Sequence, residues 1–241
     1  MPAVNIGGSN KRLRRRVAGM IVLDDFEAVI FDMDGLLIDT ERIFRGAVVE
    51  TVAAMGYDLP PAVQRDMVGL ADTDTILQTF FGPRFSPAKF RRRLREAVDS
   101  RLEAGVPLRP GAVELVDFLE QQGVRKAVAT SSRRPTAEKH LGRCGLRHRF
   151  EVIVTRDDVE RGKPHPDVYL LAAAALGLSP QRCIALEDSF NGVRAANGAG
   201  VPVIMVPDLL QPTTEIAALC ATVMDDLHQI RKLFSERSVT A

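Results

Sequence analysis

Two aspartates, Asp32 and Asp34, leave the end of the apolar run Ala28-Val29-Ile30-Phe31, and Gly35 lets the chain turn behind them. Acids that follow a strand also cap helices or shape turns, so this pair alone leaves both readings open. Three other strand ends decide the matter. Ala127-Val128-Ala129 runs into Thr130-Ser131-Ser132, the loop before Pro166 carries Lys163, and Cys183-Ile184-Ala185-Leu186 ends in Glu187-Asp188. Hydroxyls, one lysine and four carboxylates thus gather at one sheet edge. Four carboxylates packed together repel unless a cation joins them, and hard oxygen donors of this kind suit Mg²⁺, which also takes a substrate phosphate. Lys163 and the Thr130 hydroxyl can hold the other phosphoryl oxygens. An ionised Asp32 can attack phosphorus in line to give an aspartyl-phosphate. Asp34 can protonate the leaving oxygen and then activate water, worth about 10²–10⁴ in rate.

Positioning such groups needs strands that end together. Besides the runs above, Val152-Ile153-Val154 and Val201–Val206 read as short buried strands. Between them Ala112–Gln122, Pro135–Arg143, Pro166–Leu176 and Asn191–Gly198 read as helices, each closing near a glycine. Alternation of this kind predicts an α/β fold, a Rossmann-like doubly wound parallel sheet with helices on both faces. Ligands in such folds bind beyond the carboxyl ends of the strands. Residues 42–107 break the pattern. They contain no clear strand, and Phe90, Leu94, Val98 and Leu102 mark one apolar helical face with Arg91, Arg92, Arg93 and Arg95 around it. This stretch is expected to be an inserted helical cap, its arginines a solvated face, with the core formed by residues 25–41 and 108–241.

At these positions the chain resembles the haloacid dehalogenase superfamily. The matching stretches are Phe31-Asp32-Met33-Asp34-Gly35-Leu36-Leu37-Ile38-Asp39-Thr40-Glu41, Ala129-Thr130-Ser131-Ser132, Gly162-Lys163-Pro164-His165-Pro166-Asp167 and Leu186-Glu187-Asp188-Ser189 followed by Gly192. They stand in the family's order and span about residues 25–235. The resemblance implies Asp32 as nucleophile and Asp34 as acid/base, with the Asp34 backbone carbonyl also offered to Mg²⁺. It implies Thr130 and Lys163 around phosphate, and Asp32, Glu187 and Asp188 around the metal; Ser131 and Ser132, the neighbouring hydroxyls, are further phosphate-binding candidates. Arg133 either grips phosphate or a polar substrate, or is a solvated loop residue.

The helical insert and the Leu-Glu-Asp-Ser stretch are similar to the β-phosphoglucomutase-like, capped subgroup. Its mutases carry a Lys-Gly-x-x-Arg stretch in the cap, where this chain has Val68-Gly69-Leu70-Ala71-Asp72, and a histidine where this chain has Phe44. Both departures disfavour a phosphomutase. Dehalogenases lack the second aspartate, and Lys89, the one cap lysine, sits in no phosphonate-hydrolase motif. The expectation is a Mg²⁺-dependent phosphatase acting on a small sugar or nucleoside phosphate. A non-catalytic phosphometabolite-binding protein is the alternative of another class, and the intact acids and lysine argue against it.

Length and composition set the outer bounds. With 241 residues, 46% hydrophobic and 26% charged, the chain suits one large domain or a core with an insert. Apolar runs such as Leu170–Leu176 are far short of the roughly 20 residues that span a bilayer. Cys144, Cys183 and Cys220 are isolated and odd in number, which suits free thiols in a reducing cytoplasm. Residues 1–20 hold five basic residues and no acid; subtracting them from the net +1 leaves −4 on the rest, which argues against a nucleic-acid binder. Residues 1–24 read as a disordered basic leader, or an early start with Met20 opening the domain. A monomer is favoured. Of the histidines, His165 is expected to shape the Lys163 loop, and His140, His148 and His228 to lie on the surface. Asp39 and Thr40 are expected to open a helix, and Phe190 to pack.

Overall fold

The computed structural model describes residues 25–67, 73–208 and 211–235. The basic leader and the Val68–Asp72 stretch lie outside the described residues. Strands β1 (Ala28–Phe31), β2 (Arg125–Ala129), β3 (Val152–Val154), β4 (Cys183–Glu187), β5 (Val203–Met205) and β6 (Thr222–Val223) form one sheet in the order β3-β2-β1-β4-β5-β6, all pairs parallel. The chain runs outward from β1 to β3 and then returns to place β4 on β1's other side. The turnover point of the sheet is therefore at β1, where doubly wound folds bind their ligands.

Because side chains alternate along a strand, β1 feeds two cores. Val29 and Phe31 pack on one face with α5 (Ala112–Gln121), α6 (Arg134–Arg143) and α10 (Leu227–Ser235). Ala28 and Ile30 pack on the other with α7 (Asp167–Ala175), α8 (Phe190–Gly198) and α9 (Thr214–Leu219). Gly123, Gly145, Gly177 and Gly200, just past the expected helix ends, all take the left-handed conformation that closes a helix.

Between β1 and α5 lie α1 (Thr40–Ala54), α2 (Pro61–Asp66), α3 (Thr73–Phe81) and α4 (Pro87–Ala104), which share a separate cluster of Ala47, Val48, Val52, Leu59, Leu77, Phe85, Phe90 and Leu94. The Asp39 side chain accepts from the Arg42 amide and caps α1. The arginines of α4 divide. Arg92 and Arg95 are exposed, Arg91 pairs with Asp74, and Arg93 donates to the Ala54 carbonyl at 2.7 Å, tying α4 to the end of α1. The sequence reading lacks β6, α9 and α10. β6 has two half-buried residues and no apolar run, whereas α10 does carry a signal in Leu227, Ile230 and Phe234. Among the described residues no helix is long and apolar enough to cross a membrane.

Candidate active site

β1, β2 and β4 sit side by side, so their carboxyl ends deliver Asp32, Thr130 and Glu187-Asp188 to one place. The Asp32 amide bonds the Leu186 carbonyl at 3.0 Å, and the Thr130 amide bonds the Val154 carbonyl at 2.9 Å, which fixes both backbones to neighbouring strands. The cleft beyond these ends has a volume of about 520 Å³ and is lined by Asp32, Asp34, Thr130, Ser131, Lys163 and Asp188, together with Asn191, Arg194 and Asp208. Ser132, Arg133 and Glu187 do not line it. Arg133 stands exposed at the start of α6.

Lys163 is the buried cation of the site. Its Nζ donates to Asp32 Oδ1 and to Glu187 Oε1, each at 2.5 Å, and stands 5.2 Å from the centre of the Tyr169 ring. Burial opposes its charge, yet Asp32 and Glu187 outweigh burial and raise its pKa. Glu187 is wholly buried with both carboxylate oxygens engaged. Oε1 also accepts from the Tyr169 hydroxyl at 2.6 Å, and Oε2 accepts from the Ser189 hydroxyl at 3.1 Å and its amide at 3.3 Å. Ser189 in turn caps α8 by accepting from the Gly192 amide. A Cβ at Gly192 would come within 2.0 Å of the Glu187 carboxylate, so the glycine is the space in which that carboxylate lies.

Asp34 is held differently. Its Oδ2 accepts from the Ser132 hydroxyl at 2.7 Å and from the Thr130 hydroxyl at 3.4 Å, while Thr130 Oγ1 accepts from the Ser132 amide at 3.0 Å. The Thr130 and Ser132 hydroxyls therefore orient the second aspartate, and Thr130 also lines the cleft. Gly35 follows at φ +89°, and a Cβ there would strike the Asp188 carboxylate.

Asp32, Glu187 and Asp188 each offer an oxygen within 4.8 Å of the others. Burial lifts the Asp32 carboxyl to about 8 against the pull of Lys163, with Glu187 and Asp34 pushing in the same direction as burial. Asp188 is raised too, by burial first and then by Asp32 and Glu187. One lysine thus leaves this buried acidic group under-neutralised. A hard divalent cation is the chemistry that such a donor set fits.

Two site residues were not foreseen. Tyr169 reads in sequence as one more apolar position of α7, and only its hydroxyl against Glu187 shows another role. His140, expected at the surface beside Lys139 and Arg143, is instead buried at 6% exposure, because α6 turns that residue toward α1 and α4. His148, His165 and His228 are exposed.

Residues 29–206 match the family model described as haloacid dehalogenase-like hydrolase. The chain is 36% identical over 185 residues to hexitol phosphatase B of Escherichia coli K12, covering 75% of this chain and 83% of that protein. It is 33% identical over 177 residues to a phosphorylated carbohydrates phosphatase of Thermotoga maritima, covering 73% and 82%. The crystal structure of CbbY from Rhodobacter sphaeroides in complex with phosphate superposes with a TM-score of 0.65 at 32% identity, covering 85% of this chain and 96% of that one.

Proposed function

The chain belongs to the haloacid dehalogenase-like hydrolase family, in its β-phosphoglucomutase-like subgroup, and is a phosphoric monoester hydrolase; from that premise we propose that it is a Mg²⁺-dependent phosphatase of small phosphate monoesters, sugar phosphates foremost, acting through an aspartyl-phosphate on Asp32. The observation that carries this reading is the convergence of Asp32, Asp34, Thr130, Lys163 and Asp188 on one cleft at the carboxyl edge of the sheet. The names of the relatives, a hexitol phosphatase and a phosphatase of phosphorylated carbohydrates, support the substrate class.

Asp32 and Asp188 would hold the Mg²⁺, with the Asp34 backbone carbonyl. We place Glu187 behind Lys163 rather than on the metal, because both its oxygens are already taken by Lys163, Tyr169 and Ser189. When bound, the metal supplies charge neutralisation at the phosphoryl oxygens. Lys163, fixed between Asp32 and Glu187, keeps one ammonium proton donor for a phosphoryl oxygen beside the nucleophile, and Thr130 and Ser131 offer hydroxyls from the same cleft. The Asp32 carboxylate attacks phosphorus as the ester oxygen departs. Asp34, steered by Ser132 and Thr130, gives its proton to that oxygen, and afterwards takes one from the water that hydrolyses the aspartyl ester. Helices α1–α4 act as the cap that closes over the leaving group and excludes bulk water.

Phosphorus NMR with Mg²⁺, a panel of sugar and nucleoside monophosphates and an EDTA control tests the reading. Inorganic phosphate growing only with Mg²⁺ is expected. Migration of phosphate to another carbon without release, or release unaffected by EDTA, would overturn it.

A further inference from the structure

Asp32, Glu187 and Asp188 each place an oxygen within reach of one cation, yet the three are not equivalent. Asp32 and Asp188 line the cleft, whereas Glu187 is wholly buried and does not. Alternation along β4 sends Glu187 to the same face as Cys183 and Ala185, the face that α7 and α8 cover. The polar group that α7 brings to it there is the hydroxyl of Tyr169.

That hydroxyl donates to Glu187 Oε1 at 2.6 Å, and Lys163 Nζ donates to the same oxygen at 2.5 Å. The ammonium also stands 5.2 Å from the centre of the Tyr169 ring, so one side chain touches both members of the buried ion pair. A carboxylate oxygen has two lone pairs, and on Oε1 both are engaged. Oε2 accepts from the Ser189 hydroxyl and amide at 3.1 and 3.3 Å. Glu187 therefore has the charge of a metal ligand and no free lone pair with which to act as one.

We propose that Tyr169 is a positioning residue that sets the ligand charge of the metal site: its hydroxyl holds Glu187 on Lys163 and off the cation, so that two carboxylates, not three, meet the metal. This rests on the phosphatase reading for the presence of Mg²⁺ at Asp32 and Asp188. The consequence is ion selectivity. Mg²⁺ is small, dehydrates reluctantly and suits one or two carboxylates with several waters, whereas Ca²⁺ accepts about six to eight oxygens in a looser shell. A third carboxylate strengthens such a site for both ions, and more for Ca²⁺, whose shell has room for it. Tyr169→Phe keeps the ring beside Lys163 and removes only the hydroxyl. Glu187 Oε1 then lacks one partner, and a buried acceptor left without a partner is costly until it finds another. The cation is the partner within reach.

Mn²⁺, which shares the preference of Mg²⁺ for octahedral oxygen, tests this on the full chain without phosphate. Electron paramagnetic resonance in ¹⁷O-enriched water counts the waters on the bound ion. An octahedral ion held by Asp32, Asp188 and the Asp34 carbonyl keeps about three waters, and one held by Glu187 too keeps about two. The wild type is expected to show the larger number and Tyr169→Phe the smaller. By calorimetry, Tyr169→Phe is expected to bind Ca²⁺ about tenfold tighter than the wild type does, and to gain at most about threefold for Mg²⁺. The smaller water count on the wild type would make Glu187 a ligand already and overturn the proposal, whether or not the variant folds. A Tyr169→Phe protein with the wild-type water count and the wild-type ratio of Ca²⁺ to Mg²⁺ affinity overturns it as well. Failure of the wild type to bind either Mn²⁺ or Mg²⁺ would instead sink the Mg²⁺ reading of the site, and this inference with it.

Discussion

Asp32 sits in a place that penalises its charge, and two measurable consequences follow. Its carboxyl, lifted to about 8 by burial, holds a proton more tightly than an ordinary aspartate does, whereas a metal ligand must be ionised. Adding Mg²⁺ to the weakly buffered protein at pH 7 is therefore expected to release up to about one proton, and apparent Mg²⁺ affinity to rise between pH 6 and 8. Asp32→Asn should abolish both the proton release, read with a pH indicator, and phosphate formation. Lys163→Met removes the one cation between two buried carboxylates. Breaking a buried pair in this way costs about 3–5 kcal/mol, which urea denaturation with EDTA present would register. Asp32, Asp34, Thr130 and Asp188 were readable in the sequence because several apolar strands end in polar groups together, and Lys163 was readable from the loop before Pro166. Tyr169 and His140 were not, because a helical residue discloses its role only through the direction it faces.

At the scale of elements, α8 does more than pack. Its N-terminal turn holds Ser189 and Gly192 against Glu187, and Glu187 holds Lys163. Gly192→Ala would drive a methyl into the Glu187 carboxylate. It is expected to lower kcat through a displaced Lys163 and to destabilise the fold by about 1–3 kcal/mol. Gly198→Ala, at the other end of the same helix, meets only the Pro166 side chain at 3.7 Å. It is expected to leave kcat unchanged and to be neutral or slightly stabilising. Thermal melts and steady-state kinetics on the two variants separate a functional glycine from a tolerated one. The five longer strands were legible as apolar runs, helices α5 to α8 as stretches closed near a glycine, and α4 by its apolar face. β6 was not. Its two residues take their place from the sheet edge offered by β5, a tertiary cause that leaves no local pattern.

For the whole molecule, the buried acids set how stability responds to pH. A carboxyl whose folded pKa lies above its unfolded value binds more protons in the folded state between the two, so stability falls as pH rises through that window, here about pH 4 to 8. Asp188 is shifted in the same direction. With EDTA present, Tm of Asp32→Asn relative to wild type is expected to climb from pH 5 to pH 8 by at least about 2 °C. Saturating Mg²⁺ at pH 8 should raise the wild type and close the gap. A flat difference across that range would show that Asp32 is not the strained acid. The position of β1 carries a last consequence. It is paired on both sides and buried on both faces, and Asp32, the proposed nucleophile, follows its end. Amides of Val29 to Phe31 should exchange with deuterium only when the entire core opens. Fraying of the outer helices can come and go around such an anchor, so the attacking oxygen keeps its aim for as long as the protein remains folded.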